Sequence, residues 1–369
     1  MSQTQKRALL VCSAMISMFA QAASAQSSVT LYGVVDTGVE FVNKVGPQSN
    51  SVTRMLNLSG TVPSRWGLRG SEDLGGGLKS QFVLESGFAP DSGVSNQGGR
   101  LFGRQAWVGV SGAWGQVALG RQYTMLFWST FDADILGPNV YGSSSLDNYL
   151  PNARADNSLS YKGKFGGLTL GATYSLGRDT AGSPLGPSAT NCAGESASDY
   201  RACKEWSALI QYETGSWGVS AVYDSLRGGP GAFAGLTSSS LKDDRASLNG
   251  YMILSKAKLG LGVIARRNEA IATPRSDLWF AGIAYDVTPA LNVAAQGYYL
   301  RFHNSANKAW LGAVRATYAF SKRSSVYMTA GYIDNKGQSN LSVSSGAAGA
   351  NPAPGGNQLG VTAGIKHVF

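Results

Sequence analysis

Histidine and cysteine are nearly missing from this chain, which has two of the first and three of the second in 369 residues. A histidine-driven reaction needs its base within hydrogen-bond reach of an activated nucleophile. The two histidines offer little for that: His303 lies at a strand end beside a loop, and His367 shares a face with Ile365 and Phe369. No phosphate-binding loop, dinucleotide fingerprint or metal-ligand spacing occurs, so no cofactor, no metal and no catalytic residue is expected. Three cysteines build no disulfide scaffold. Charge is scarce as well, at 14% of residues against about 25% in ordinary soluble domains. After the first twenty-odd residues there is no apolar run near the length of about 20 that a membrane helix requires. The formal charge is +9 and the pI about 9.4, yet the basic residues are scattered and not clustered, and nucleic acid is not an expected partner.

The chain has 48 glycines and 16 tyrosines, a composition suited to strands and tight turns. Its first residues read "MSQTQKRALLVCSAMISMFAQAASAQ": Lys6 and Arg7, an uncharged run from Ala8 to Ala20, then Ala23-Ser24-Ala25. That is the three-part pattern of an export signal with small residues at the cleavage point. Residues 1–25 are expected to be removed, leaving 26–369 as a single barrel domain, with the charge falling from +9 to +7 as Lys6 and Arg7 leave.

Alternation runs along the rest. In "LTLGATYSL", Leu168, Leu170, Ala172, Tyr174 and Leu176 share one parity against Thr169, Gly171, Thr173 and Ser175. In "EWSALIQYE", Trp206, Ala208, Ile210 and Tyr212 oppose Glu205, Ser207, Gln211 and Glu213, with Leu209 the one apolar intruder. The segments "WGVSAVYD", "WFAGIAYDV", "WLGAVRATYAF", "SVYMTAGYI" and the closing "QLGVTAGIKHVF" behave alike. Side chains on a strand alternate between faces, so each segment has an apolar and a polar side. Aromatic residues gather near the ends of the apolar parity, as they do where a barrel meets two membrane interfaces.

Seven short connections recur: Gly75-Gly76-Gly77, Trp114-Gly115, Gly166-Gly167, Gly215-Ser216, around Gly260, Thr288-Pro289 and around Lys322-Arg323. Between them fall eight longer polar stretches, near 43–53, 91–99, 122–153, 177–203, 227–243, 268–276, 303–308 and 335–356. Fifteen connections join sixteen strands, and strict alternation of long and short is the habit of outer-membrane barrels. Nearly all prolines lie in these connections, and Pro63, inside the second strand, marks a bend or bulge. Backbone groups in hydrocarbon must all be paired, so the sheet closes first strand on last. The expected fold is an all-β, 16-stranded antiparallel transmembrane β-barrel wide enough to hold an aqueous lumen.

Residues 122–153 make the longest connection, with Asp132, Asp134 and Asp147 but no lysine or arginine, beside Phe127, Trp128, Phe131, Ile135, Leu136, Tyr141 and Tyr149. Such a segment can lie on the surface, cover a neighbouring subunit or fold into the lumen. Folding inward buries its apolar side chains while keeping its aspartates wet, which favours the third.

The stretches "SSVTLYGVVDTGV", "SRWGLRGSEDLGGGLKSQFVLESGF", "FGRQAWVGVSGAWGQVALGRQY", "RADNSLSYKGKFGGL" and the terminal "GIKHVF" resemble the general diffusion porins of Gram-negative outer membranes. The resemblance spans the chain after the signal. It implies a homotrimer in lipid and lipopolysaccharide, a passive channel for small hydrophilic solutes, and a third long loop folded inward. It also implies that Phe369 belongs to the signal read by the barrel-assembly machinery. Wall arginines of the family's constriction correspond to Arg65, Arg104 and Arg154, with Asp132 and Asp134 as acidic partners on the loop. Many family members carry a further loop glutamate that this loop lacks. Parity places Arg65 and Arg154 inward, whereas Arg104 shares parity with Ala106, Val108 and Val110, as for a strand at a trimer interface. Each arginine has the plainer alternative of a solvated lumen charge. Excess arginine points to moderate anion preference. A solute-specific anion channel, for phosphate or a dicarboxylate, and an outer-membrane hydrolase are the rival readings. Cys192 and Cys203, in a polar loop exposed to an oxidising compartment, are expected to pair, the alternative being two free thiols.

Overall fold

The computed structural model describes residues 28–57, 60–179, 192–232, 235–344 and 349–369, so the export signal expected at 1–25 lies outside the described residues. Seventeen strand segments follow in order: β1 Ser28–Val45, β2 Asn50–Met55, β3 Arg65–Gly75, β4 Leu78–Gly87, β5 Gln105–Gly112, β6 Gly115–Tyr123, β7 Arg154–Phe165 and β8 Leu168–Ser175. After these come β9 Glu205–Glu213, β10 Trp217–Arg227, β11 Lys242–Leu254, β12 Ala257–Asn268, β13 Arg275–Asp286, β14 Leu291–Phe302, β15 Lys308–Ala319, β16 Ser324–Lys336 and β17 Asn357–Val368. From β3 onward each strand pairs antiparallel with the next, and β1 closes the barrel on β17 from Val34↔Val368 to Val42↔Gly360. On its other side β1 pairs with β3 through Ser28–Val34 and with β2 through Val39–Val45. β2 and β3 are therefore two halves of one stave, and the barrel has sixteen.

The break in that stave has a local cause. Pro63 has no N–H to give to a ladder, and the chain leaves the wall between Met55 and Arg65. The Ser64 hydroxyl takes over the missing backbone bonds: it accepts from Asp36 N at 2.9 Å and donates to Asp36 O at 2.8 Å. The bend expected at Pro63 is thus a full excursion, described over residues 60–64. The first long connection is shorter than its composition suggests, because Gly46 and Ser49, both at positive φ, close β1 onto β2 in a tight turn over 46–49. At the opposite end three successive glycines, Gly75 to Gly77, all take positive φ, a path closed to most other residues.

Outward parity carries the exposed apolar residues, such as Leu159, Leu170, Ile210, Val219, Leu261, Ile283, Val314 and Ile365. The inward parity is polar for much of the circumference but not throughout. Val42, Leu209, Val222, Ile264, Leu278, Leu300, Leu311 and Ile333 all point inward and form one buried cluster with Met125, Leu126, Leu136, Val140, Tyr141, Leu146 and Leu150 of the 124–153 loop. The loop is folded into the lumen, and Leu209 is part of the apolar strip that receives it. Its short helix, Met125–Thr130, lies so close to the wall that a Cβ on Gly171 would collide with the Met125 sulfur.

Candidate pore constriction

The loop is fixed at points along the wall from β9 round to β1. Met125 N donates to Ser207 Oγ at 2.9 Å, Ser220 Oγ to Ser129 O at 2.9 Å, and Leu136 N to Gln296 Oε1 at 2.7 Å. Farther along, Tyr141 OH donates to Glu40 Oε1 at 2.8 Å and Tyr149 OH to Glu205 Oε1 at 2.9 Å. Two further segments join it inside. The excursion over 60–64 is held on Asp36, whose carboxylate accepts from the N–H groups of Gly60, Thr61 and Val62 at 3.2, 3.0 and 2.9 Å and from Tyr327 OH at 2.6 Å. The Asn139 amide donates to the Thr61 carbonyl, which ties excursion to loop. From the last long connection, Val343 O accepts Tyr141 N and Ser145 Oγ.

The three arginines singled out from sequence come together on the β3–β7 wall. Arg104 Nε lies 2.7 Å from Glu85 Oε1 and Arg65 Nε 3.4 Å from Glu85 Oε2. Tyr123 joins the remaining pair: Arg104 and Arg154 both donate to its hydroxyl, the latter at 2.8 Å, and the Arg154 guanidinium lies 4.4 Å from its ring centroid. Arg104 and Arg154 are buried, whereas the Arg65 side chain keeps 29% of its exposure. Arg104 stands one residue before β5, outside the strand, so the outward parity of Val108 and Val110 does not bind it, and it faces inward.

The loop acids take other partners. Among the described residues Asp132 and Asp134 form no ion pair with these arginines. Asp132 Oδ1 accepts from Lys258 Nζ at 2.9 Å, and Asp134 is buried where Tyr298 OH and Ser143 Oγ donate to it at 2.8 and 2.6 Å. The physical reason is the path of the loop: Asp134 N bonds Thr130 O and Gly137 N bonds Asp134 O, a turn that aims residue 134 at β14. Nor do the aspartates all stay wet. Burial pushes the Asp134 carboxyl above its usual range, against its hydroxyl donors and Arg315. Burial would raise Asp147 too, but Arg245 and Arg266 hold it down at about 2. Arg245 grips Asp147 with two nitrogens, Nε at 2.8 Å and Nη2 at 3.1 Å.

Sequence reasoning missed Glu85, Tyr123 and Arg245, and it named Asp147 without a partner. Glu85 and Arg245 show inward parity beside outward neighbours, a signal that was present; what each one touches is set by closure. Cys192 and Cys203 are joined, with Cα atoms 5.2 Å apart, in the connection between β8 and β9. Phe369 pairs with Gly33 through N–H and C=O, both at 3.0 Å, at the seam of the barrel. His303 bonds Asp277 Oδ2 at 2.7 Å and His367 bonds Ser324 Oγ at 2.9 Å, each at a barrel end.

A closed barrel with an apolar outer face, a charged passage and a loop folded into its lumen defines a channel of the porin class. The family model for the Gram-negative porin matches residues 12–338. Outer membrane porin protein 32 of Delftia acidovorans is 30% identical over 94% of this chain and 96% of its own. An outer membrane porin protein of Bordetella pertussis is 32% identical over 76% of this chain and 73% of its own. The solved structure of an anion-selective porin from Comamonas acidovorans superposes with a TM-score of 0.70 at 26% identity, covering 93% of this chain and all of that one. The chain belongs to the Gram-negative porin family, and it is an outer-membrane porin through which small hydrophilic solutes diffuse passively.

Proposed function

We propose that the pore prefers anions moderately, with Arg65, Arg104 and Arg154 on its basic side and Asp132 at the loop's exposed edge; Asp134 acts in holding the loop. The observation that carries this is the gathering of three guanidinium groups on one stretch of wall, where among the described residues Glu85 is the one carboxylate ion-paired with them. The relative described as an anion-selective porin supports it. A unit charge about 8 Å from a passing ion is worth about 0.5 kcal/mol in water and about 2 at an effective dielectric of 20, enough to bias ions without trapping them. Screening over about 8 Å at physiological salt leaves only charges near the narrowest point effective. In the same reading residues 1–25 are a cleaved export signal, the barrel is a homotrimer seated among lipid and lipopolysaccharide, Phe369 serves recognition by the assembly machinery, and no reaction is catalysed.

Reversal potentials under a KCl gradient in a planar bilayer test it. Wild-type protein should show anion preference, and Arg65→Gln with Arg154→Gln should reduce the permeability ratio by roughly fivefold, about 1 kcal/mol. Cation preference in the wild type, or an unchanged potential in the variant, would place the selective region elsewhere.

A further inference from the structure

A second chemical environment lies away from the arginine cluster. Between β7, β8, β9 and the Met125–Thr130 helix is a recess of about 310 Å³, at the lower end of the usual range for small-ligand sites. Its faces differ in kind. Trp128 and Phe131 make the loop side aromatic, and Phe131 leaves 61% of its surface uncovered. Leu209, Gln211 and Thr169 line the wall side, and Lys162 holds its ammonium 3.8 Å from the Trp128 ring centroid.

The charges around the recess are not equivalent. Lys164 is paired with Glu213 at 3.1 Å and Asp132 with Lys258 at 2.9 Å, so those four neutralise one another. Among the described residues Lys162 has no carboxylate partner; its cation rests on an aromatic face alone. Cation–π attraction leaves ammonium donors free to meet an anion. An uncovered phenyl ring and an ammonium without a counter-ion, held in one cavity of ligand size, are satisfied together by a flat apolar body bearing one negative charge.

We propose that this recess is a subsite for small aromatic anions, of which benzoate is the simplest, with the ring against Phe131 and the carboxylate on Lys162 Nζ. Binding of this kind slows such a solute without stopping it, since a channel site must be weak enough to leave. The proposal rests on the channel reading given above, and two measurements keep their failures apart. In planar bilayers, benzoate should reduce the KCl current along a saturating curve. Acetate, the charge without the ring, and benzyl alcohol, the ring without the charge, should not do so at equal concentration. Lys162→Met should raise the half-blocking concentration about tenfold, the loss expected for one hydrogen bond to a charged group. Phe131→Ser, in the loop and not in the barrel wall, should raise it comparably. In detergent, tryptophan fluorescence reads binding without conduction. Saturable quenching by benzoate that Lys162→Met weakens, from protein that passes no current, would keep the subsite and reject the channel reading. Equal block by benzoate and acetate, or benzoate block that neither substitution weakens, would overturn the subsite.

Discussion

Asp147 and Asp134 sit in the same loop and respond to pH in opposite senses. Asp147 is held at about 2, below its ordinary 3.8, beside Arg245 and Arg266. Its contribution to loop docking is present above the ordinary value and is lost as pH falls towards about 2, a difference of about 2 kcal/mol. Asp134 is raised by burial, so the neutral acid suits the folded state. Its contribution is complete below the ordinary carboxylate range and is lost as pH rises through its elevated value. Limited proteolysis of the 124–153 loop across pH is the measurement. Asp147→Asn should cut faster than wild type at pH 5, and Asp134→Asn should remove the loss of protection seen on raising the pH. A loop equally protected in both variants at every pH would show that neither carboxyl governs docking.

The element that shapes the passage beside the long loop is the interruption between β2 and β3. A carboxylate at Asp36 gathers three backbone N–H groups and a tyrosine hydroxyl, and Arg315 reaches the Gly60 and Leu136 carbonyls at 3.4 Å each, linking excursion and loop. Removing a buried acceptor strands its donors without partners. Asp36→Ala should therefore cost on the order of 3 kcal/mol and release the excursion, read as a lower melting temperature in detergent and as flicker in single-channel recordings. Quiet channels with an unaltered melting temperature would show that packing alone holds residues 60–64. Pro63 made a break legible in the sequence, but its direction was not, because the carboxylate that draws the chain inward lies on β1.

On the scale of the whole barrel, the outer surface is uneven. From Trp114 onward it carries a rim of exposed aromatics that includes Phe165, Tyr174, Trp206, Tyr212, Trp217, Trp279, Trp310, Tyr318 and Tyr332. Over β1–β5 the exposed apolar residues are chiefly aliphatic, among them Val29, Leu31, Val39, Leu74, Val108 and Val110, with Phe41 the aromatic exception. Aromatic girdles mark contact with lipid interfaces, so the aliphatic sector is the natural face for the proposed trimer. Unheated protein in mild detergent should have about three times the monomer mass by light scattering, in keeping with the large area of obligate interfaces. A monodisperse monomer that still conducts would reject the trimer.

Strand count, antiparallel order and the faces of each strand were readable in the sequence, because side chains alternate with period two whatever the strand pairs with. The pattern of short and long connections followed largely from glycine and proline chemistry, which is equally local, but the turn expected around Gly260 falls at Ser255-Lys256 and Gly260 lies inside β12, paired with Tyr251 and Gly282. Arg65 and Arg154 could be placed inward on the same ground, and the family motifs brought Arg104 beside them. What closure decided lay beyond any window of sequence. Arg245 meets Asp147 across 98 positions and Tyr298 meets Asp134 across 164. Leu209 looked like an error in its strand until the apolar loop covered it. A charge or an apolar side chain on the inner wall takes its meaning from what the lumen brings against it, and curvature and loop path set that contact, whereas composition does not.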